Sequence, residues 1–117
     1  MLKAKYIRVS TNEQNSDRQK TGEHSLYVDE VSGLIPFNKR PSAKRLIKDI
    51  KQGKVNYVSI HSVDRLGRNV VDIQNQLNWF IENKVQLFCE NIQMHLINPN
   101  GSLNLIAKMI IDLLGSV

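Results

Sequence analysis

The sequence predicts an α/β domain, a three-layer α/β/α arrangement around a mostly parallel sheet of four to five strands. Two observations carry that expectation. Short apolar runs rich in Val, Ile, Tyr and Phe recur at residues 3–9, 26–28, 55–60 and 85–89, with the composition and length of buried strands. Between the later runs lie longer segments whose apolar residues repeat at helical spacing. Strands that alternate with helices form a largely parallel sheet, because each crossover returns the chain to the same edge.

The elements follow in order. Residues 3–9 are the first strand, with an apolar run from Ala4 through Val9, and it ends in two hydroxyls, Ser10 and Thr11. The polar stretch from Asn12 to about Gly22 reads as a short helix or an irregular segment. Leu26-Tyr27-Val28 is a second, short strand that ends at Asp29. Residues 32–39 carry Gly and Pro and read as a loop. Pro41 suits the first turn of a helix. Ala43, Leu46, Ile47 and Ile50 make its buried stripe, and Gly53 ends it.

Val55 to Ile60 is the third strand. Asn69 is placed to cap a helix that carries Ile73, Leu77, Phe80 and Ile81 on one side. Trp79 lies on a flank of that helix, and core packing is its preferred reading over contact with a neighbour. Val85 to Cys89 is the fourth strand. Asn98-Pro99-Asn100-Gly101 is a turn, after which Ser102 is expected to cap a last helix. There Ile106, Met109, Ile110 and Leu113 form one stripe, and Leu103, Ile111 and Leu114 widen it beyond what one core-facing side requires.

Composition bounds the function only loosely. The 117 residues are 41% hydrophobic and 23% charged, with a net charge of +5. This is one globular domain with room for its own core. The basic balance suits a polyanion but does not demand one. One cysteine, Cys89, excludes an internal disulfide, and its apolar neighbours make it a buried structural thiol. His24, His61 and His95 are scattered and form no metal-ligand pair. The amino terminus lacks the apolar core of a signal peptide, and no apolar run reaches membrane-spanning length. A cytoplasmic protein that does not engage a membrane is the expectation.

The chemistry concentrates at two strand ends. Arg8 and Ser10 share parity on the first strand, so both can point to one side at its carboxyl end, where open α/β sheets bind ligands. On its own, a Ser there is more often a helix cap. The third strand runs into Val63-Asp64-Arg65-Leu66-Gly67-Arg68-Asn69, which brings more arginines to a neighbouring end. A serine hydroxyl needs activation. Converging guanidinium groups favour a phosphoryl group, which they bind with a two-pronged fork.

These stretches resemble the serine recombinases of the resolvase/invertase family. Tyr6-Ile7-Arg8-Val9-Ser10-Thr11 matches the family's Tyr-x-Arg-Val-Ser-Thr motif, and Asp64 to Arg68 its Asp-Arg-Leu-Gly-Arg motif. Asp29-Glu30-Val31-Ser32-Gly33 and Arg40-Pro41 match further elements between them, in the family's order. The resemblance implies a resolvase-like catalytic fold and a reaction. Ser10 attacks a DNA phosphodiester, forms a 5′-phosphoserine link and releases a 3′-hydroxyl, and the exchanged strand is resealed by the reverse attack. No metal, ATP or other cofactor is implied.

In that scheme Arg8 and Arg68 hold the non-bridging oxygens, and Arg40 and Arg65 complete the phosphate pocket. Asp64 either transfers a proton at the leaving oxygen or orients an arginine. Tyr6, Gln14 and Gln19 support the nucleophile loop or contact DNA. The resemblance also implies DNA as partner, a dimer built on the last helix through Ile106, Met109, Ile110 and Leu113, and a tetramer in the synaptic complex. On this reading residues 1–100 are the catalytic core and 101–117 the start of a truncated dimerisation helix. No helix-turn-helix follows, so specific DNA binding and full activity need a missing carboxyl-terminal domain. The rival is an inactive resolvase-like dimerisation or regulatory module, with an unrelated small phosphate-binding domain more distant. Gln19 and Tyr27 also stand closer together than in the family, which shortens or displaces the first helix.

Overall fold

The computed structural model describes residues 2–10, 24–106 and 108–109. Strands β1 (Leu2–Val9), β2 (Ser25–Glu30), β3 (Val55–Ile60), β4 (Gln86–Cys89) and β5 (Met94–His95) pair in the order β2-β1-β3-β4-β5. The first three pairings are parallel, and β4 with β5 is antiparallel. Helix α1 (Pro41–Lys51) joins β2 to β3, and α2 (Val70–Glu82) joins β3 to β4. Both crossovers step across the sheet in the same direction, so right-handed connections put both helices on one face.

The fold is therefore α/β, with five mostly parallel strands. The short β5 carries too few residues to show a period, so nothing in the sequence pointed to it. The segment expected to be helical or irregular between Asn12 and Gly22 lies outside the described residues.

Alternation along β1 divides the core. Ala4 and Tyr6 point to the helices and join Val58, Ile60, Leu87 and Cys89 in one buried cluster. Lys5, Ile7 and Val9 point the other way and are also buried. Lys5 avoids the cost of an unpaired buried charge through Glu90, whose Oε2 lies 2.9 Å from its Nζ. Ser59 donates to the same oxygen at 3.4 Å. One carboxylate thus ties β1, β3 and the end of β4 together.

The two helices start in different ways. α1 buries Ala43, Leu46 and Ile50, with Ile47 partly covered. Arg40 stands at its N-cap, and its side chain makes no capping bond. The cap comes instead from β2. Asp29 accepts from Ser42 N at 2.8 Å and from Ala43 N at 3.0 Å, and also from the Tyr6 hydroxyl at 2.9 Å. A buried carboxylate is stable there because it meets the positive end of the helix and two otherwise orphaned N–H groups. α2 is capped as expected: Asn69 Oδ1 accepts from Asp72 N at 2.9 Å. It buries Ile73, Leu77 and Phe80. Trp79 is partly buried and packs edge-on to Phe80, with ring centroids 5.3 Å apart.

The Asn98–Gly101 turn forms as expected. Gly101 N donates to Asn98 O at 2.9 Å, and Gly101 takes the positive φ that favours glycine. Ser102 is not the cap of the last helix. Its hydroxyl and its N–H both bond Asn100 Oδ1, and its neighbour Leu103 bridges to Ile97. Helical backbone begins at Leu105, and Asn104 Oδ1 accepts from Ile106 N at 2.8 Å. Ser and Asn cap about equally well. The Ile97–Leu103 bridge decided between them, because it pairs Leu103, which a Ser102 cap would need as the first helical residue, with another segment.

Asp29→Ala removes the α1 cap and leaves the Tyr6 hydroxyl without its acceptor. Urea unfolding should show a loss of about 2–3 kcal/mol, the scale of a lost cap plus a buried polar group left unpaired. An unchanged midpoint would contradict this account of α1.

Candidate active site

β1 and β3 run side by side and parallel, with Tyr6 opposite Ile60. Their carboxyl ends therefore open onto the same edge. Ser10 follows β1 directly and is half-buried. After β3 the chain makes a 3-10 turn, Val63–Leu66. Val63 and Leu66 are buried and anchor the turn, which leaves Asp64 exposed and Arg65 half-buried. Gly67 then lies against the first turn of α2. A Cβ there would come within 2.9 Å of Ile73 N and 3.0 Å of Asp72 Oδ2, so the close approach requires glycine.

Three arginines interlock at this edge. Arg8 Nη1 donates to Val31 O at 3.1 Å, and Arg65 Nη1 donates to Arg8 O at 3.1 Å. Arg40 has no exposed surface. Its Nε donates to Ile35 O at 3.0 Å, and its Nη1 donates to Arg65 O and, at 3.4 Å, to the Tyr6 hydroxyl. Gly33 covers the Arg8 guanidinium, and a Cβ there would sit 3.5 Å from Arg8 Cζ. Among the described residues, two buried nitrogens, Arg8 Nε and Arg40 Nη2, have no hydrogen-bond partner.

The electrostatics follow from that crowding. Burial, then the positive charges of Arg65 and Arg40, push the Arg8 guanidinium down from its ordinary value, and the charge of Asp64 opposes the shift. Tyr6 moves the other way. Burial raises its phenol above the usual range despite the hydrogen bond from Arg40. It stays a neutral donor to Asp29 and is no nucleophile at neutral pH.

Ser10, Arg8, Arg40, Arg65, Asp64 and Tyr6 thus gather around the ends of β1 and β3. Asp64 accepts from the Ser62 hydroxyl and lies 4.0 Å from Arg65 Nε. Among the described residues no side chain hydrogen-bonds the Ser10 hydroxyl. Arg68 stands apart from the interlocked three. It is exposed and is held by Asp72, 3.6 Å from its Nε. Gln14 and Gln19 lie outside the described residues, as do Ile110 and Leu113. Ile106 and Met109 lie far from this edge in sequence and are 53% and 63% exposed.

Two carboxylates without an assigned role turn out to organise the site. Asp29 was visible as the first residue of its motif, but its action on α1 and Tyr6 is tertiary. Asp72 had a local signal: it stands four residues after Arg68 and three after the cap Asn69. Cys89 is buried, donates to Asn91 Oδ1 at 3.0 Å, and has its thiol pushed up by burial. It is a structural thiol.

A family model described as "Resolvase, N terminal domain" matches residues 3–115. The chain belongs to the resolvase family. The Transposon Tn21 resolvase of Escherichia coli is 32% identical over 113 residues, covering 95% of this chain and 57% of that protein. The serine recombinase gin of Escherichia phage Mu is 36% identical over 70 residues, covering 56% and 34%. The chain spans about half the length of the curated relatives it matches. Among solved structures, the N-terminal catalytic domain of TP901-1 integrase aligns with a TM-score of 0.69 at 26% identity, over 99% of this chain and 92% of that one. The C-terminal catalytic domain of ISC1926 TnpA, an IS607-like serine recombinase, aligns with a TM-score of 0.62 at 25% identity, over 77% and 69%. No helix among the described residues is long and apolar enough to cross a membrane.

An anion at the arginine cluster relieves its mutual repulsion. Inorganic phosphate should therefore raise the unfolding temperature above that in chloride of equal ionic strength, by the equivalent of about 2.7 kcal/mol at a hundredfold excess over Kd. Arg8→Ala should remove most of the difference. Equal shifts in both proteins would place the bound anion elsewhere.

Proposed function

We propose that this chain is the catalytic domain of a serine site-specific DNA recombinase, with Ser10 as nucleophile. The observation that carries the reading is the placement of Ser10 at the end of β1, beside three interlocked arginines with two unpartnered buried nitrogens. Ser10 Oγ attacks the phosphorus of a DNA phosphodiester. The Oγ–P bond forms as the P–O3′ bond breaks, leaving a 5′-phosphoserine link and a free 3′-hydroxyl. One phosphoester replaces another, so the reverse attack by a new 3′-hydroxyl reseals the strand without ATP.

Each side chain has a part. Arg8 and Arg68 hold the non-bridging oxygens, with bonds that strengthen as charge builds in the transition state. Arg65 reaches the same phosphate from its turn. Arg40, fully buried, supports the pocket from beneath through Ile35 O and Arg65 O. Asp64 is exposed at the mouth, placed to take or return a proton at the leaving oxygen or to steer Arg65. Tyr6 holds Arg40, and Gln14 and Gln19 serve the nucleophile loop or the DNA. A module kept only for assembly has no use for both Arg8–Ser10 and Asp64–Arg68. DNA as substrate implies a cytoplasmic protein. Phosphate contacts alone carry no sequence information, so site choice falls to another part of the recombinase.

The partner chain is a second copy. Leu105, Ile106 and Met109 are 74%, 53% and 63% exposed on the last helix, and Ile110 and Leu113 continue the stripe in sequence. Covering each such side chain is worth about 1.5–3 kcal/mol. The dimer forms along this stripe, and two dimers make the synaptic tetramer.

Two measurements test these readings. Ser10→Ala in the full-length protein should abolish covalent attachment to a suicide DNA duplex on a denaturing gel while the fold persists. Arg8→Ala should slow attachment by about 10³-fold, as when an arginine supporting phosphoryl transfer is lost. An adduct that survives Ser10→Ala assigns the chemistry to another residue. Sedimentation across a concentration series should show the wild type self-associating and Met109→Lys monomeric, since the substitution buries an unpaired charge. A strictly monomeric wild type refutes the interface without touching the chemistry.

A further inference from the structure

Arg68 differs from the other arginines at this edge. Arg8, Arg40 and Arg65 hold one another through backbone carbonyls, whereas Arg68 is exposed and shares none of those bonds. Two separate parts of it converge on a single oxygen. The Arg68 backbone N–H donates to Asp72 Oδ2 at 2.9 Å, and the side-chain Nε lies 3.6 Å from the same atom.

That oxygen is itself held. The Asp72 N–H is bound by Asn69 Oδ1 at 2.9 Å, on the first turn of the 13-residue helix α2. The carboxylate side chain is only 15% exposed. Gly67 closes over it so tightly that a Cβ would lie 3.0 Å from Oδ2. The carboxylate is clamped between the loop after β3 and the start of α2. Because Asp72 meets Arg68 at Nε, the Nη edge of the guanidinium has no partner among the described residues. Two parallel N–H groups at that edge are what a phosphate accepts.

We propose that Asp72 is the positioning residue for Arg68, holding the guanidinium by Nε so that its Nη edge meets the scissile phosphate. The inference rests on the recombinase reading and adds to it a residue that touches no substrate. The competing role is purely structural, a first-turn carboxylate opposite the helix dipole. The two roles separate because only the first acts through Arg68.

The test is a double-substitution cycle in the full-length protein, read as the rate of Ser10–DNA adduct formation on a suicide duplex. Asp72→Asn keeps an oxygen for the Arg68 N–H and removes the charge. At saturating DNA it should slow the adduct step about 10²-fold, the scale of a misplaced reacting group, with half-saturation unchanged. In an Arg68→Lys background the same substitution should add almost nothing, because coupled residues are not additive. A wild-type rate in Asp72→Asn, or equal losses in both backgrounds, overturns the proposal. A second measurement needs no activity. The Arg68 Nε–H resonance should exchange slowly with solvent in the wild type and rapidly in Asp72→Asn, and equal exchange in both again overturns it. A wild type that forms no adduct sinks the recombinase reading, and the exchange measurement still decides whether Asp72 holds Arg68.

Discussion

The buried carboxylate of Asp29 is the interaction on which the rest depends. It lies at the end of β2 and binds the first N–H groups of α1 and the hydroxyl of Tyr6 on β1. An isolated carboxylate so deep in a protein costs several kcal/mol. Here the helix end and three hydrogen bonds offset that cost. Those bonds also set three elements against one another: two neighbouring strands and the helix that crosses over them.

The arginine cluster is built outward from that point. Tyr6, donating to Asp29, offers its oxygen to Arg40. Arg40 in turn binds the carbonyls of Ile35 and Arg65, pulling the loop before α1 and the turn after β3 toward each other. Arg65 closes the circuit on Arg8 O. Backbone carbonyls do most of this holding. Among the described residues the one carboxylate paired with these three guanidinium groups is the exposed Asp64, 4.0 Å from Arg65 Nε, so most of the positive charge is left uncancelled. A cluster that gathers more positive charge than it neutralises favours an anion, and the Arg8 guanidinium is lowered first by burial and then by the same repulsion.

Arg68 is placed by other means. The Asn69 cap, the Asp72 carboxylate and the close approach of Gly67 form a small unit at the start of α2. That unit rests on the core through Leu66 and Ile73, both buried. The proposed phosphate site thus draws on two scaffolds, one organised by Asp29 and one by Asp72. They meet where the ends of β1 and β3 lie side by side.

The sequence by itself determined the parts that are local. Apolar period and turn chemistry located β1, β3, α1 and α2 to within a residue or two, because propensity, stripe and cap agreed there. The ordered motifs around Ser10 and Asp64 identified the family, since four short matches in sequence order carry information that no single one does. Tertiary structure decided the rest. Whether Asn104 or Ser102 caps the last helix depended on a bridge between Ile97 and Leu103. The two-residue β5 exists only because β4 offers it an edge. Arg40 and Arg68 read alike in sequence, as arginines beside a loop and a helix start. One became a fully buried strut and the other an exposed side chain on a carboxylate tether. The physical reason is that a guanidinium's role is set by the acceptors around it: Arg68 meets a carboxylate four residues on, whereas the backbone carbonyls that hold Arg40 are brought together only when separate segments fold onto one another.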